Sequence, residues 1–156
     1  MLVITLILPR EQHRLLTATL RKAGRREVGG ILMGEHVGPN IFAVREMTVH
    51  RRGGLSSFVR RIGDAIGNLR SFFRESGYDY ERFNYIGEWH SHPSFSPYPS
   101  RTDDLSMLQI VQDEAVGANF VVLLIAKLGV EGELVSTAHT YLPEGARILS
   151  IIKVER

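Results

Sequence analysis

The run Phe120–Ala126, FVVLLIA, contains no polar residue. At seven residues it is too short for a membrane span and has the length of a strand buried on both faces. A strand of that kind needs cover above and below its sheet, so the chain must supply both strands and helices.

The flanking patterns supply them. Leu2–Leu8 reads as another buried strand, closed by Pro9–Arg10; it has no basic leader, so neither a signal peptide nor a membrane span is expected there. From Pro9 to Ala23, Leu16, Leu20 and Ala23 recur at helical spacing beside Leu15, and Gly24 is a stop signal. Glu27–Met33 reads as a short strand with two glycines, Gly34 to Asn40 as a turn, and Ile41–Val49 as the partner strand of a hairpin. Ser56–Arg61 fits a short strand, and Asp64 to Ser76 a helix with Ile66, Leu69, Phe72 and Phe73 on one face. Asn84–His90 is a strand, Pro93 to Ser100 a proline-rich ordered loop, and Thr102 begins a helix with Leu105, Leu108, Ile110 and Val111 as its apolar positions. A strand follows at Leu134–Tyr141, and Ile148–Val154 fits either a strand or a helix. The order predicts an α/β chain (mixed α+β) whose central mixed sheet is flanked by helices. With 156 residues, one domain spanning 1–156 is expected.

Composition removes several chemistries. There is no cysteine, so disulfides, thiolate metal sites and cysteine nucleophiles are excluded; a reducing, cytoplasmic setting is the expectation. The net charge is only +2, yet arginines and lysines gather at Arg21–Arg26, Arg45–Arg52 and Arg60–Arg61. Solvated helix ends and loops account for them; a basic rim that steers an acidic partner is the functional reading. No nucleic-acid module is present, so nucleic acid is not the expected partner.

The chemistry concentrates in GEWHSHPSFSPYPSRTDD, Gly87–Asp104. Side chains at i and i+2 of a strand share a face, so His90 and His92 point the same way and can reach one ion. A catalytic zinc takes three protein ligands and leaves one position to water. Asp103 follows His92 by eleven residues, and the proline loop can return it from the first turn of the next helix. Alone, each piece has a plain structural role: a satisfied histidine pair, and helix-start carboxylates at Asp103 and Asp104. Glu88 shares the face of the histidines. It could orient a ligand histidine, form a pocket carboxylate that selects an amine, or twist aside into a salt bridge.

His90-Ser91-His92-Pro93, then Ser100 and Asp103, resembles the JAMM motif of the JAB/MPN metalloprotease family. Glu27-Val28-Gly29-Gly30-Ile31-Leu32-Met33-Gly34 resembles that family's glutamate-bearing strand. The likeness runs from the first strand to about Tyr141. It implies the MPN-type fold, related to the cytidine-deaminase-like fold, and one Zn2+ per chain on His90, His92 and Asp103 with water as fourth ligand. Glu27 would be general base and then proton donor, and Ser100 would donate to the oxyanion. The Gly-Glu-Trp-His-Ser-His-Pro form looks closest to stand-alone bacterial deconjugases, some from antiphage defence operons with E1- and E2-like partners. The implied activity is an isopeptidase or peptidase acting on the C-terminal tail of a ubiquitin-like or sulfur-carrier-like protein. Gly29 and Gly30 either leave room for that tail along the strand edge or serve a bulge or tight packing. Only seventeen steps separate Asp103 from Phe120, so recognition is expected in Arg51–Phe83. Phe95 and Tyr98 are read as packing anchors. A silent MPN-like scaffold would have lost ligands that this chain retains, and a zinc deaminase would need the cysteines it lacks.

Overall fold

The computed structural model describes residues 2–51, 74, 77, 82–114 and 116–156. In chain order these form β1 (Thr5–Leu8), α1 (Arg10–Ala23), β2 (Val28–Gly38), β3 (Ile41–Met47), β4 (His50–Arg51), β5 (Phe83–Ser91), α2 (Arg101–Gln112), β6 (Val121–Leu128), β7 (Leu134–Tyr141), β8 (Arg147–Leu149) and β9 (Ile151–Val154). The strands make one mixed sheet in the order β8-β7-β6-β5-β2-β3-β1-β9, with β4 also paired to β2. The pairs β5/β6, β1/β3 and β1/β9 are parallel, and the others are antiparallel. The result is the mixed α/β architecture expected from the sequence. The short strand expected at Ser56–Arg61 and the helix at Asp64–Ser76 lie outside the described residues, apart from Arg74, which is helical. Among the described residues no helix is long and apolar enough to cross a membrane.

Alternation along β6 separates two cores. Val122, Leu124 and Ala126 join Leu32, Val44, Trp89 and the α1 residues Leu16, Leu20 and Ala23 on one face. Val121, Leu123 and Ile125 meet Met107, Ile110 and Val111 of α2, with Tyr141, on the other. The double burial read from Phe120–Ala126 is therefore met by one helix on each face, although the strand itself runs Val121–Leu128.

Helix α1 buries Gln12, Leu16, Leu20 and Ala23, and the Gln12 amide donates to the Arg45 carbonyl at 2.8 Å. Leu15 falls outside this stripe and is exposed. Gly24 ends the helix at φ 60°, its N–H bonded to the Leu20 carbonyl. The Arg26 guanidinium donates to the carbonyls of Ala23 and Lys22, the plain capping role for a basic residue there.

Two expectations need correction, and one open alternative is decided. Gly34 to Asn40 is not all turn: β2 continues to Gly38, and only Pro39–Asn40 turns, with Asn40 at φ 56°. The glycines are absorbed by register shifts at Met33/Gly34 and His36/Gly38 rather than ending the strand. Leu105 does not face the core, for the buried stripe of α2 is Asp103, Met107, Ile110 and Val111, and Leu105 is 57% exposed. The segment at 148–154 is two strands serving opposite ends of the sheet. β8 pairs with β7 and β9 with β1, while Ser150 between them donates to the Ala138 carbonyl and Ile151 to that of Ile4. The sheet thus curls until one stretch of chain joins both its ends.

Candidate metal centre

β5 and the residue after it bring His90 and His92 to one face, as the period of two requires, for the His92 N–H still bonds the Ala126 carbonyl of β6 at 3.0 Å; the ring centroids are 5.1 Å apart and the planes inclined by 21°. Trp89 and Ser91 point to the other face; Trp89 is core, with its indole N–H on the Thr48 carbonyl at 2.8 Å. Asp103 arrives from the first turn of α2. Its Oδ1 lies 3.3 Å from His90 Nε2, and its Oδ2 lies 3.3 Å from His92 Nε2. All three residues are buried, and their donor atoms lie within 4.8 Å of one another.

Each ligand orientation has a local cause. His92 Nδ1 is 2.8 Å from the Ser96 carbonyl. A carbonyl only accepts, so Nδ1 carries the hydrogen of this bond, which orients the ring with its Nε2 toward Asp103. Phe95 stacks on His92 at 4.2 Å between centroids. The loop that carries Phe95 is pinned by Lys127 Nζ on its carbonyl at 3.1 Å and by the Thr137 hydroxyl on the Pro97 carbonyl. Phe95 and Tyr98 do pack, against His92 and His139, but 45% and 56% of each stays exposed.

Ser100 is the N-cap of α2. Its Oγ accepts the Asp103 N–H at 3.1 Å, and its own N–H donates to Asp103 Oδ2 at 2.8 Å, a reciprocal capping box. Burial alone would raise the Asp103 pKa, but hydrogen bonds from His90 and His92 hold the carboxyl well below the usual carboxylate range. Two imidazole nitrogens and one ionised carboxylate, converging at a buried point, are a donor set that can hold a metal ion. The residues fit the metal that the sequence implies.

Glu27 contributes no atom to this cluster. It lies just before β2, where Gly29 stands opposite His90. Continuing that antiparallel register puts Glu27 opposite His92 on the face of both imidazoles, in an exposed position. The Val28 N–H is bonded to Ser91 Oγ at 3.0 Å, which supports the continuation.

The glycines after Glu27 are packed rather than open. A Cβ on Gly29 would meet the Trp89 carbonyl oxygen at 2.6 Å and His90 Cβ at 2.9 Å; one on Gly30 would meet the Thr48 carbonyl oxygen at 1.9 Å. β2 is flanked by β5 on one edge and by β4 and β3 on the other, so it offers no free edge for an added strand. Of the two readings of these glycines, tight packing is the one realised.

Glu88 does share the histidine face, between Ile31 and Leu123 in the sheet, and is 4% exposed. That burial is not the setting of a carboxylate open to substrate. The region Arg51–Phe83, expected to carry specificity, lies mostly outside the described residues. Of two further buried polar groups, Thr48 escapes the sequence reading, and His139 has only a default surface or core role there. Thr48 receives the Ile31 N–H on its Oγ1 at 2.8 Å, and His139 sits behind the loop, its Nε2 3.0 Å from Thr137 Oγ1. Burial pushes His139 down to about 4, aided by the nearby Arg147 charge. Neither residue lies in a spaced motif, so only the fold reveals them.

A sequence model of the prokaryotic homologs of the JAB domain matches residues 9–139. The solution structure of protein DSY2949 from Desulfitobacterium hafniense is similar to this chain with a TM-score of 0.68 and 19% identity, covering 97% of this chain and 93% of that one. At that identity the likeness concerns the fold. No curated protein matches the sequence.

Proposed function

Because the chain belongs to the prokaryotic homologs of the JAB domain, we propose that it is a zinc-dependent isopeptidase or peptidase of the JAMM type. Its substrate is an amide bond at the C-terminal tail of a ubiquitin-like or sulfur-carrier-like protein. The observation that carries this reading is the buried His90, His92 and Asp103 cluster, with donor atoms within 4.8 Å.

Those three residues would hold one zinc ion per chain. Bound there, zinc supplies Lewis acidity and brings the pKa of water down to about 7. The protein's own groups do the rest. Glu27, on the histidine face and open to solvent, accepts a proton and hands it to the leaving amine. Ser100 accepts the Asp103 N–H through a lone pair. That bond does not use the hydroxyl hydrogen, which is donated to the oxyanion of the tetrahedral adduct. Phe95 stacks on His92 and keeps an exposed face that a thin, extended glycine tail can lie against. In a bacterial cytoplasm, E1- and E2-like partners that attach such tails would make this chain the reversing step of an antiviral conjugation system.

Two measurements test the reading. Purified protein should carry about one zinc per chain and cleave ubiquitin-like fusions until a chelator is added. Glu27→Ala should keep the zinc and lose cleavage. Protein that stays metal-free under zinc supplementation removes the metal reading. Full zinc with no cleavage of any such fusion leaves a silent MPN-like scaffold that binds a protein partner.

A further inference from the structure

Asp103 and Asp104 are neighbours in the first turn of α2, and they are held by different parts of the fold. Asp103 faces His90 of β5 and His92 just past its end. Asp104 is held from the far end of the sheet. The Tyr141 hydroxyl donates to its Oδ1 at 2.6 Å, and Arg147 Nη1 donates to Oδ1 at 2.8 Å and to Oδ2 at 2.9 Å. Tyr141 and Arg147 are register partners on β7 and β8, so the two donors are themselves fixed to one another. Tyr141 is fully buried in the core under α2, beside Met107, Ile110 and Val111. Burial and the Asp104 carboxylate raise its phenol far above the ordinary tyrosine value, so it stays a donor.

The cluster draws its ligands from two separately placed elements. The histidines are rigid on a central strand, but the third ligand depends on where the first turn of α2 lies. The apolar stripe of α2 begins only at Met107, one turn later. What fixes the turn itself is the capping box at Ser100 and the two-donor clamp on Asp104. We infer that Tyr141 and Arg147 are positioning residues for the metal centre: by holding Asp104 they set the rotation of the turn that aims Asp103 at His90 and His92. The inference rests on the reading of those three residues as metal ligands.

Charge and position predict opposite outcomes here. Arg147 is a cation near a cation site, and its removal by simple electrostatics would tighten metal binding. If it acts by positioning, its removal weakens binding. The test is zinc affinity by chelator competition for the parent, Tyr141→Phe, Arg147→Gln and Arg147→Lys, together with the visible absorption of the cobalt-substituted proteins. Loss of a supporting partner of this kind should weaken zinc binding about 10- to 100-fold. The cobalt spectrum should change, and Arg147→Lys should recover part of the loss. Unchanged affinity and spectrum in Arg147→Gln, or tighter binding, overturns the inference while the parent still binds zinc. A parent that takes no zinc instead overturns the metal-centre reading, and this inference with it. Arg147 has an exposed side chain, so its variants decide the matter even if Tyr141→Phe does not fold.

Discussion

Replacing Gly30 by alanine adds one methyl group where the fold has no space for it. The new carbon would stand 1.9 Å from the Thr48 carbonyl oxygen and 2.6 Å from Thr48 Oγ1. Non-bonded heavy atoms rest near 3.5 Å or beyond, so one side must retreat by more than ~1 Å. Thr48 is poorly placed to retreat. Its carbonyl accepts the Trp89 indole N–H at 2.8 Å, its Oγ1 accepts the Ile31 N–H at 2.8 Å, and its own N–H donates to the Ile31 carbonyl at 3.1 Å. Losing two of these bonds in a buried place costs about 2–6 kcal/mol, and the overpacking itself about 1–3 kcal/mol. The expected destabilisation is about 4 kcal/mol or more, a large part of the whole stability of a domain this size. Urea unfolding of the metal-free protein measures it, followed by the emission of Trp89, the only tryptophan. Gly38→Ala in the same strand is the control, for its Cβ would meet Ile41 Cδ1 at an ordinary 3.4 Å. That variant should lie within about 1 kcal/mol of the parent. If Gly30→Ala is as stable as the parent, or Gly38→Ala falls as far, the packing account of these glycines is refuted.

Gly29→Ala should act on the metal centre, because the added carbon meets the backbone and Cβ of His90. Zinc affinity should fall about 10-fold, and equal affinity would show that β5 shifts without turning the ligand. Trp89→Phe should lose about 2 kcal/mol by urea unfolding, since it strands the Thr48 carbonyl and leaves a void. His139 has a folded pKa of about 4, below its ordinary 6.5. The unfolded chain therefore takes up the proton first on acidification, and stability should drop between about pH 6.5 and 4, by up to about 3 kcal/mol. His139→Gln should flatten that portion of the stability profile; an unaltered profile would show that His139 is not its source.

The sequence made the candidate ligands legible because their geometry is local. A period of two fixes the common face of His90 and His92, and the motif spacing selects Asp103 over Asp104. The same spacing hid the face of α2. Its buried stripe starts with Asp103, and a search for apolar spacing skips a carboxylate and settles on Leu105. The glycines of β2 left two readings open, because a run of small residues is room either for a substrate or for neighbours, and here Thr48 and the backbone of β5 fill it. Arg147–Val154 has weak alternation because its two halves answer to different partners, β7 and β1. The Asp104 clamp joins residues 37 and 43 positions apart and has no local signature at all.

Ser91 is the middle letter of the His-x-His motif, which the chemistry leaves blank. Its side chain points away from the metal cluster and receives the N–H of Val28, the residue next to Glu27. The strand that presents the ligands is therefore latched to the strand that leads out of the base by a side chain where a ladder would use a carbonyl. Removing that hydroxyl should leave the three ligands in register and loosen Glu27 alone. On the proposed reading, zinc binding and proton transfer separate at Ser91 as they do at Glu27, whereas substitution of a ligand changes both.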